Sequence, residues 1–229
     1  MLETNGNCDY PCWWGITPGT TSWVQVKALL DPVAQAESSP PNHDNRDVTF
    51  WITLPDPDGR SWNGHLEARF HVSSTGVVEM MSVPVKVGSI QELLNQYGIP
   101  SEIWLSFIGD YPGDPRQYIL AFFYQAEGIM AEPVGSGTKI TENGRDYLEI
   151  CGSQYSHYYQ LRFWSLAMPI AFYDVEYSLF ETTPDDVGFG RIGDVTDLSE
   201  DLFYALFMQN PDFCFRTPYD RWPIIPPRP

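Results

Sequence analysis

The chain has 229 residues, of which 43% are hydrophobic and 15% aromatic, so it carries enough apolar side chains to bury a core. Its 30 Asp and Glu outnumber its 13 Lys and Arg, giving a formal net charge of -17. Because that charge repels phosphate backbones and anionic lipids, it argues against nucleic acid as a partner. No apolar run reaches the roughly 18 residues of a membrane-spanning helix.

A first helix is predicted after Thr20 and Thr21, whose hydroxyl groups suit a helix N-cap. Residues at helical spacing define its apolar face, namely Trp23, Val26, Leu30 and Val33. Polar residues and two prolines then predict a loop over 37–45.

The clearest strand signal lies at 65–72, where apolar and polar residues alternate as in a half-buried strand of an antiparallel sheet. The β-branched and aromatic run 48–54 predicts its partner, and the turn-forming residues 55–59 predict a hairpin between the two. A third strand is expected at about 76–83. The outward positions of 65–72 mix both charge signs and are the candidate binding residues, namely His65, Glu67, Arg69 and His71.

A second helix is predicted from Ser89 to the residues before Gly98. Further strands are then expected at 102–108, 117–124, 128–132, 146–151, 158–164 and 170–180, with a turn at 135–137. A last helix should run from Ser199 to Gln209, with Leu202, Phe203, Leu206 and Phe207 facing inward. The Pro-rich tail 222–229 is expected to be extended or disordered.

The order of these elements lacks strict βαβ alternation and predicts an α+β fold, in which short helices pack on one side of antiparallel meanders. Residues 1–84 are interpreted as a first helix-plus-meander repeat and residues 85–150 as a second. Residues 151–229 form a C-terminal extension with aromatic strands, the last helix and the tail. We expect the three parts to form one compact body.

The cysteines are even in number and lack the two close pairs of a zinc site, so they predict two disulfides and an extracytoplasmic, oxidising compartment. Four reduced thiols and a four-cysteine zinc site are the alternatives. Of three possible pairings we favour Cys8 with Cys12 and Cys151 with Cys214, because Pro11 can bend the short loop. The first seven residues have neither a basic segment nor an apolar core, so no signal or anchor segment is expected in this chain.

Several literal motif matches fail on their context. Residues 188–193 read G-x-G-x-x-G, but Thr-Thr-Pro-Asp-Asp at 182–186 takes the place of the required strand, so a loop before the last helix is expected. Asp56-x-Asp58-Gly59 lacks the other ligands of a calcium loop. Cys151 and His157 as nucleophile and base have no accompanying oxyanion motif. The chain has four histidines, including His43. His65 and His71 share a strand face but lie six residues apart, about 20 Å, which is too far to ligate one ion. No metal or other cofactor is expected.

The segment 8–21 reads C-D-Y-P-C-W-W-G-I-T-P-G-T-T. It resembles the opening of a group of bacterial secreted or lipid-anchored proteins in which it follows a membrane or lipid anchor, and residues 93–100 are similar too. This resemblance implies a location outside the cytoplasm and brings no activity with it. The two helix-plus-meander passes also resemble the tandem repeat of the β-lactamase-inhibitor-protein fold, which is shared with small envelope-assembly lipoproteins. Those proteins are binding modules.

These observations predict an interaction module at the bacterial cell envelope, binding another envelope protein, with no enzymatic activity. One alternative is a hydrolase whose acidic residues are too scattered in sequence to recognise. The other is a glycan binder that uses exposed rings. The aromatic-rich quarter of the chain motivates that second alternative, with Tyr155, Tyr158, Tyr159, Phe163, Trp164, Phe172, Tyr173, Tyr177 and Phe180. Core packing is the other explanation of these rings.

Overall fold

The computed structural model describes residues 8, 11–32, 34–37, 47–53, 65–86, 90–108, 116–168, 170–172, 174–175 and 189–222. They form mostly antiparallel sheet with short helices, which is the α+β fold that the sequence predicts. The chain divides into two compact units. Unit 1 comprises 1–85, 126–129 and 160–179, and unit 2 comprises 86–125, 130–159 and 180–229. The division into two repeats and an extension stays a prediction.

The described helices are α1 (Trp23–Leu30), α2 (Ile90–Tyr97), α3 (Ile192–Val195) and α4 (Glu200–Gln209), with 3-10 turns at Gly152–Gln154 and Tyr219–Arg221. The strands are β1 (Ala34–Glu37), β2 (Asp47–Thr53), β3 (His65–Val72), β4 (Val78–Lys86), β5 (Glu102–Ile108), β6 (Arg116–Tyr124), β7 (Ile129–Glu142), β8 (Arg145–Cys151), β9 (Tyr155–Trp164), β10 (Phe189–Arg191) and β11 (Cys214–Pro218). None of these helices is long and apolar enough to cross a membrane.

The sheet of unit 1 has the strand order β1-β2-β3-β4, followed by the end of β9. Strands β2 and β3 pair antiparallel from Asp47 opposite His71 to Thr53 opposite His65, which confirms the predicted hairpin. The predicted loop at 37–45 and turn at 55–59 lie almost wholly outside the described residues. Strand β4 follows β3 across a short turn, in which Ser73 N donates to Val77 O.

An aromatic cluster closes one side of this sheet. Phe50 of β2 and Phe70 of β3 are both 0% exposed, and their rings meet edge to face with centroids 5.9 Å apart. Trp23 of α1 lies 5.7 Å from Phe50, and Trp13 lies 6.5 Å from Phe70. Ring pairs of this kind stabilise by about 0.5–1.5 kcal/mol beyond the area they bury. The alternate residues of β2 and β3 must therefore point to the other side of the sheet.

Helix α1 begins later than predicted. Its N-cap is Ser22, which forms a capping box with Gln25: Ser22 Oγ accepts from Gln25 N, and Gln25 Oε1 accepts from Ser22 N at 2.9 Å. Thr21 instead accepts from Thr17 N at 2.8 Å, so its hydroxyl group stabilises the preceding turn. The prediction of Thr20 or Thr21 as cap was wrong because a Ser followed three residues later by Gln offers two bonds rather than one.

In unit 2 the strand order is β7-β6-β5-β10, and β8 pairs with both β7 and β11. Gln91 of α2 donates to Met208 O of α4 at 3.3 Å, so the two helices pack together. Gly98, at φ 74°, ends α2 as predicted. Helix α4 buries Phe203 and Phe207, but Leu202 is exposed rather than inward, because the buried stripe of this helix is narrower than expected.

Three further expectations were wrong. The turn expected at 135–137 lies inside β7, where Gly137 packs closely against the Leu148 side chain. The described residues of 170–175 form a helical turn instead of a strand, with Asp174 N and Val175 N donating to Ala171 O. The loop expected at 188–193 contains β10 and the start of α3. Gly190 is needed there because a Cβ at this position would collide with Val195. Strand β10 pairs antiparallel with β5, so the G-x-G-x-x-G residues do not form the βαβ unit of a dinucleotide-binding site.

Both predicted disulfides are confirmed: Cys8 bonds Cys12, and Cys151 bonds Cys214. The second bridge joins directly opposed residues of β8 and β11. Because Cys151 is oxidised, it has no thiolate to act as the nucleophile that was considered with His157. Two disulfides indicate folding in an oxidising compartment.

Removal of the two disulfides tests how the chain is held together. Chain entropy predicts that Cys151→Ala with Cys214→Ala lowers the free energy of unfolding by about 4 kcal/mol, since the bridge closes a separation of 63 residues. The matched variant, Cys8→Ala with Cys12→Ala, removes a bridge between residues only 4 positions apart. It should lower the free energy of unfolding by about 2 kcal/mol. Urea unfolding of both variants measures the difference, and equal losses would contradict the expectation.

A strained turn connects Trp13 to Ile16. Trp14 and Gly15 have φ of 55° and 81°, and the flanking residues exchange two backbone hydrogen bonds of 2.9 and 2.8 Å. Asn-Gly suits such a turn, whereas a bulky residue in the left-handed region is disfavoured by about 1–2 kcal/mol. Buried Trp13 and Ile16 hold the turn in place from both sides. A hydrogen bond from Gly15 N to Cys8 Sγ ties it to the first disulfide.

We expect Trp14→Asn to raise the free energy of unfolding by about 1 kcal/mol, because Asn tolerates the left-handed region. Gly15→Ala should lower it by a similar amount, about 1 kcal/mol, because Ala does not. Denaturant unfolding at neutral pH measures both changes. If Trp14→Asn lowers stability, packing of the indole outweighs the backbone strain and this account of the turn is wrong.

Candidate functional site

The side of the unit 1 sheet opposite the aromatic cluster carries polar and charged residues. Register places Asp47 opposite His71 and Trp51 opposite Glu67, so β2 and β3 present these side chains to one face. On β4, a bulge opposite His71 and Val72 brings Glu79 beside them. We refer to the set as the β3 face, which consists of Asp47, Trp51, Glu67, Arg69, His71 and Glu79.

Three of the four predicted binding residues belong to this face. Glu67, Arg69 and His71 alternate with buried Ala68 and Phe70, as their spacing predicts. The side chain of His65 lies outside the described residues, although its backbone pairs with Thr53. A binding role for all four residues stays a prediction.

Arg69 and Glu67 form an ion pair along the strand. Arg69 Nε lies 2.8 Å from Glu67 Oε1, and Arg69 Nη2 donates to Glu67 Oε2 at 2.9 Å. Their side chains are 25% and 23% exposed, so the pair is partly shielded from water. This hydrogen bond and the close Nε–Oε1 contact hold the two side chains against each other.

His71 lies between two carboxylates from neighbouring strands. Its Nδ1 is 2.7 Å from Asp47 Oδ1, and its Nε2 is 3.9 Å from Glu79 Oε2. Sequence reasoning missed both acids. The first required the hairpin register, which a long loop does not specify, and the second required the bulge, for which the sequence carries no signal.

The β3 face combines charged, polar and aromatic side chains that solvent can reach. With His71 neutral, the β3 face presents three carboxylates against one guanidinium, all partly accessible to solvent. Trp51 adds an apolar side chain that is 39% exposed. Across the part of the chain that the structure describes, no group of three or more His, Cys, Asp and Glu side chains is arranged to hold a metal ion.

Unit 2 carries a second charged surface, on β7, β8 and β11. Arg216 bridges Glu142 and Glu149 at 3.0 and 2.9 Å. The neighbouring guanidinium of Arg145 donates two hydrogen bonds to Asp220 and lowers the pKa of that carboxyl. These exposed pairs join strands to one another and to the following 3-10 turn.

A carboxyl on the same surface is paired in the same way. Hydrogen bonds from Lys139, which has the larger effect, and from Thr141 lower the pKa of Asp146. A general acid working near neutrality needs the opposite shift, so neither Asp146 nor Asp220 supports the hydrolase alternative.

An open cavity of about 630 Å³ lies beside the start of α4, lined by 193–194, 196–200 and Arg221. Its acidic rim is partly neutralised, because Arg221 lies 2.7 Å from Asp197 and also donates to Thr196 O.

The aromatic-rich quarter of the chain contributes to the core where it is described. Phe163, Trp164 and Phe172 are buried. The remaining side chains of that set lie outside the described residues. The described rings therefore give no support to a glycan-binding platform.

Comparison with models of known protein families, with curated proteins and with solved structures found no match. The resemblance of residues 8–21 to the opening of bacterial secreted or lipid-anchored proteins stays a prediction. Functional inference therefore rests on the geometry and charge of the surfaces described above.

Proposed function

We propose that this chain is an interaction module of the bacterial cell envelope, and that its β3 face binds a partner protein with a basic surface. The observation that carries the proposal is the β3 face itself, in which three carboxylates, one guanidinium and a partly exposed Trp lie together on one side of the sheet. We expect no catalysis from it.

The sidedness of the sheet supports this proposal. On one side, Phe50 and Phe70 are completely buried against aromatic neighbours. On the other, polar side chains are ordered by the Glu67–Arg69 ion pair and by the contact between His71 and Asp47. Side chains that are already ordered lose less conformational entropy when a partner binds.

Charge complementarity supports a basic partner. The chain carries a net charge of -17, and acids outnumber bases on the β3 face as well. Such a field speeds association with cationic surfaces and discourages anionic ones. Trp51 suits the centre of such a contact, because Trp and Arg are the residues most enriched among binding hot spots.

An oxidising location is supported by the two disulfides. The narrower assignment to the cell envelope is supported by the resemblance of residues 8–21 to secreted and lipid-anchored bacterial proteins. No described feature favours a glycan binder or a hydrolase over the interaction module.

The test compares two variants with the same overall charge. The β3-face variant is Asp47→Asn, Glu67→Gln and Glu79→Gln, and its control is Glu142→Gln, Asp146→Asn and Asp220→Asn on the unit 2 surface. Partners cross-linked in envelope extract would be identified by mass spectrometry, and purified partner would be titrated calorimetrically. We expect the β3-face variant to bind at least about tenfold more weakly, since it loses several charge pairs, and the control to bind nearly as the unmodified protein does.

Equal weakening in both variants would mean that only total charge matters and would refute the β3 face as the contact. Thermal unfolding of each variant excludes loss of fold as the cause. Turnover of an ester, glycoside or peptide substrate by the unmodified protein would contradict the non-catalytic part of the proposal.

A further inference from the structure

We propose that His71 is a proton switch on the β3 face: on binding a proton it pairs with Glu79 as well as with Asp47 and withdraws the Glu79 carboxylate from a basic partner. This inference rests on the proposed function, because it describes the regulation of the same surface. It concerns acidification from about pH 7.5 to pH 5.5, the range in which histidine is the side chain that ordinarily changes charge.

The geometry favours the protonated ring. A neutral imidazole has one N–H donor and one lone pair. If Nδ1 donates to Asp47 Oδ1, which is 2.7 Å away, the lone pair of Nε2 faces the Glu79 carboxylate at 3.9 Å. Two electron-rich atoms then oppose each other. A proton on Nε2 converts that repulsion into a second ion pair.

The two carboxylates on the neighbouring strands favour the protonated ring. Strand β2 contributes Asp47, and β4 contributes Glu79. On β3 itself the neighbouring cation is Arg69, whose charge is matched by Glu67 at 2.8 Å. The side chain of His71 is 27% exposed, so a proton has access from solvent while the ion pairs remain partly shielded.

Protonation changes what the β3 face offers to a partner. Below the transition, His71 becomes a second cation on the β3 face and pairs with Glu79 in addition to Asp47, which it already contacts. A basic partner then meets fewer available acids, and its affinity falls as the pH falls.

The first test is an NMR titration of the histidine ring protons, with the His71 signal assigned by its absence in His71→Gln. We expect Asp47→Asn to lower the midpoint relative to the unmodified protein, and Glu79→Gln to lower it by less, because Glu79 is farther away. A midpoint that neither substitution lowers would overturn the proposal.

The second test uses hexalysine as a defined basic probe, followed by the amide shifts of β2, β3 and β4. The dissociation constant should rise about two- to fivefold between pH 7.5 and pH 5.5, the range expected for loss of one partly exposed charge pair. In His71→Gln the dissociation constant should change less between the two pH values than it does in the unmodified protein. Equal pH dependence in both proteins would overturn the switch. The absence of shifts on these strands at either pH would contradict binding of a basic partner. It would then also contradict the regulatory role of His71, even if the ring titrates as expected.

Discussion

One-sided burial of β3 is the constraint on which the rest of unit 1 depends. Phe70 is completely buried beneath Trp13 and Trp23, so the residues on either side of it must point away. A slip of one residue in register would carry Arg69 into the apolar layer, where an unpaired charge is strongly unfavourable. The aromatic cluster thereby determines both the core and the composition of the opposite face.

The excess of acids makes the β3 face negatively charged. Basic residues are scarce, and most of those that the structure describes are engaged by carboxylates, as Arg69, Arg145 and Arg216 are. On the unit 2 surface, cations and acids are nearly balanced and join neighbouring strands. On the β3 face, carboxylates exceed the one guanidinium, and this excess is what a basic partner would recognise. The proposed recognition and the proposed pH response of His71 both depend on this excess.

The parts of the fold with strong local signals were predictable. The alternation in β3, the glycine after α2, the cap of α4 and the spacing of the cysteines each reflect chemistry contained in a few neighbouring residues. Long-range pairing was not predictable in this way. The length of β7 was missed because Gly137 was interpreted as a turn, whereas it makes room for Leu148 of the adjacent strand. The acids around His71 were missed because a register and a bulge, rather than any motif, bring them together.

The sidedness of β3 is tested most directly by the free energies of unfolding of Phe70→Ala and Arg69→Ala, two substitutions at adjacent positions. One-sided burial predicts a loss of about 3–5 kcal/mol for Phe70→Ala, since it leaves a cavity in a packed aromatic layer. Arg69→Ala should lose less than about 1 kcal/mol, because it removes a partly exposed ion pair. Losses of similar size at the two positions would show that both faces of β3 are equally buried, and would contradict the account of the β3 face as a surface open to a partner.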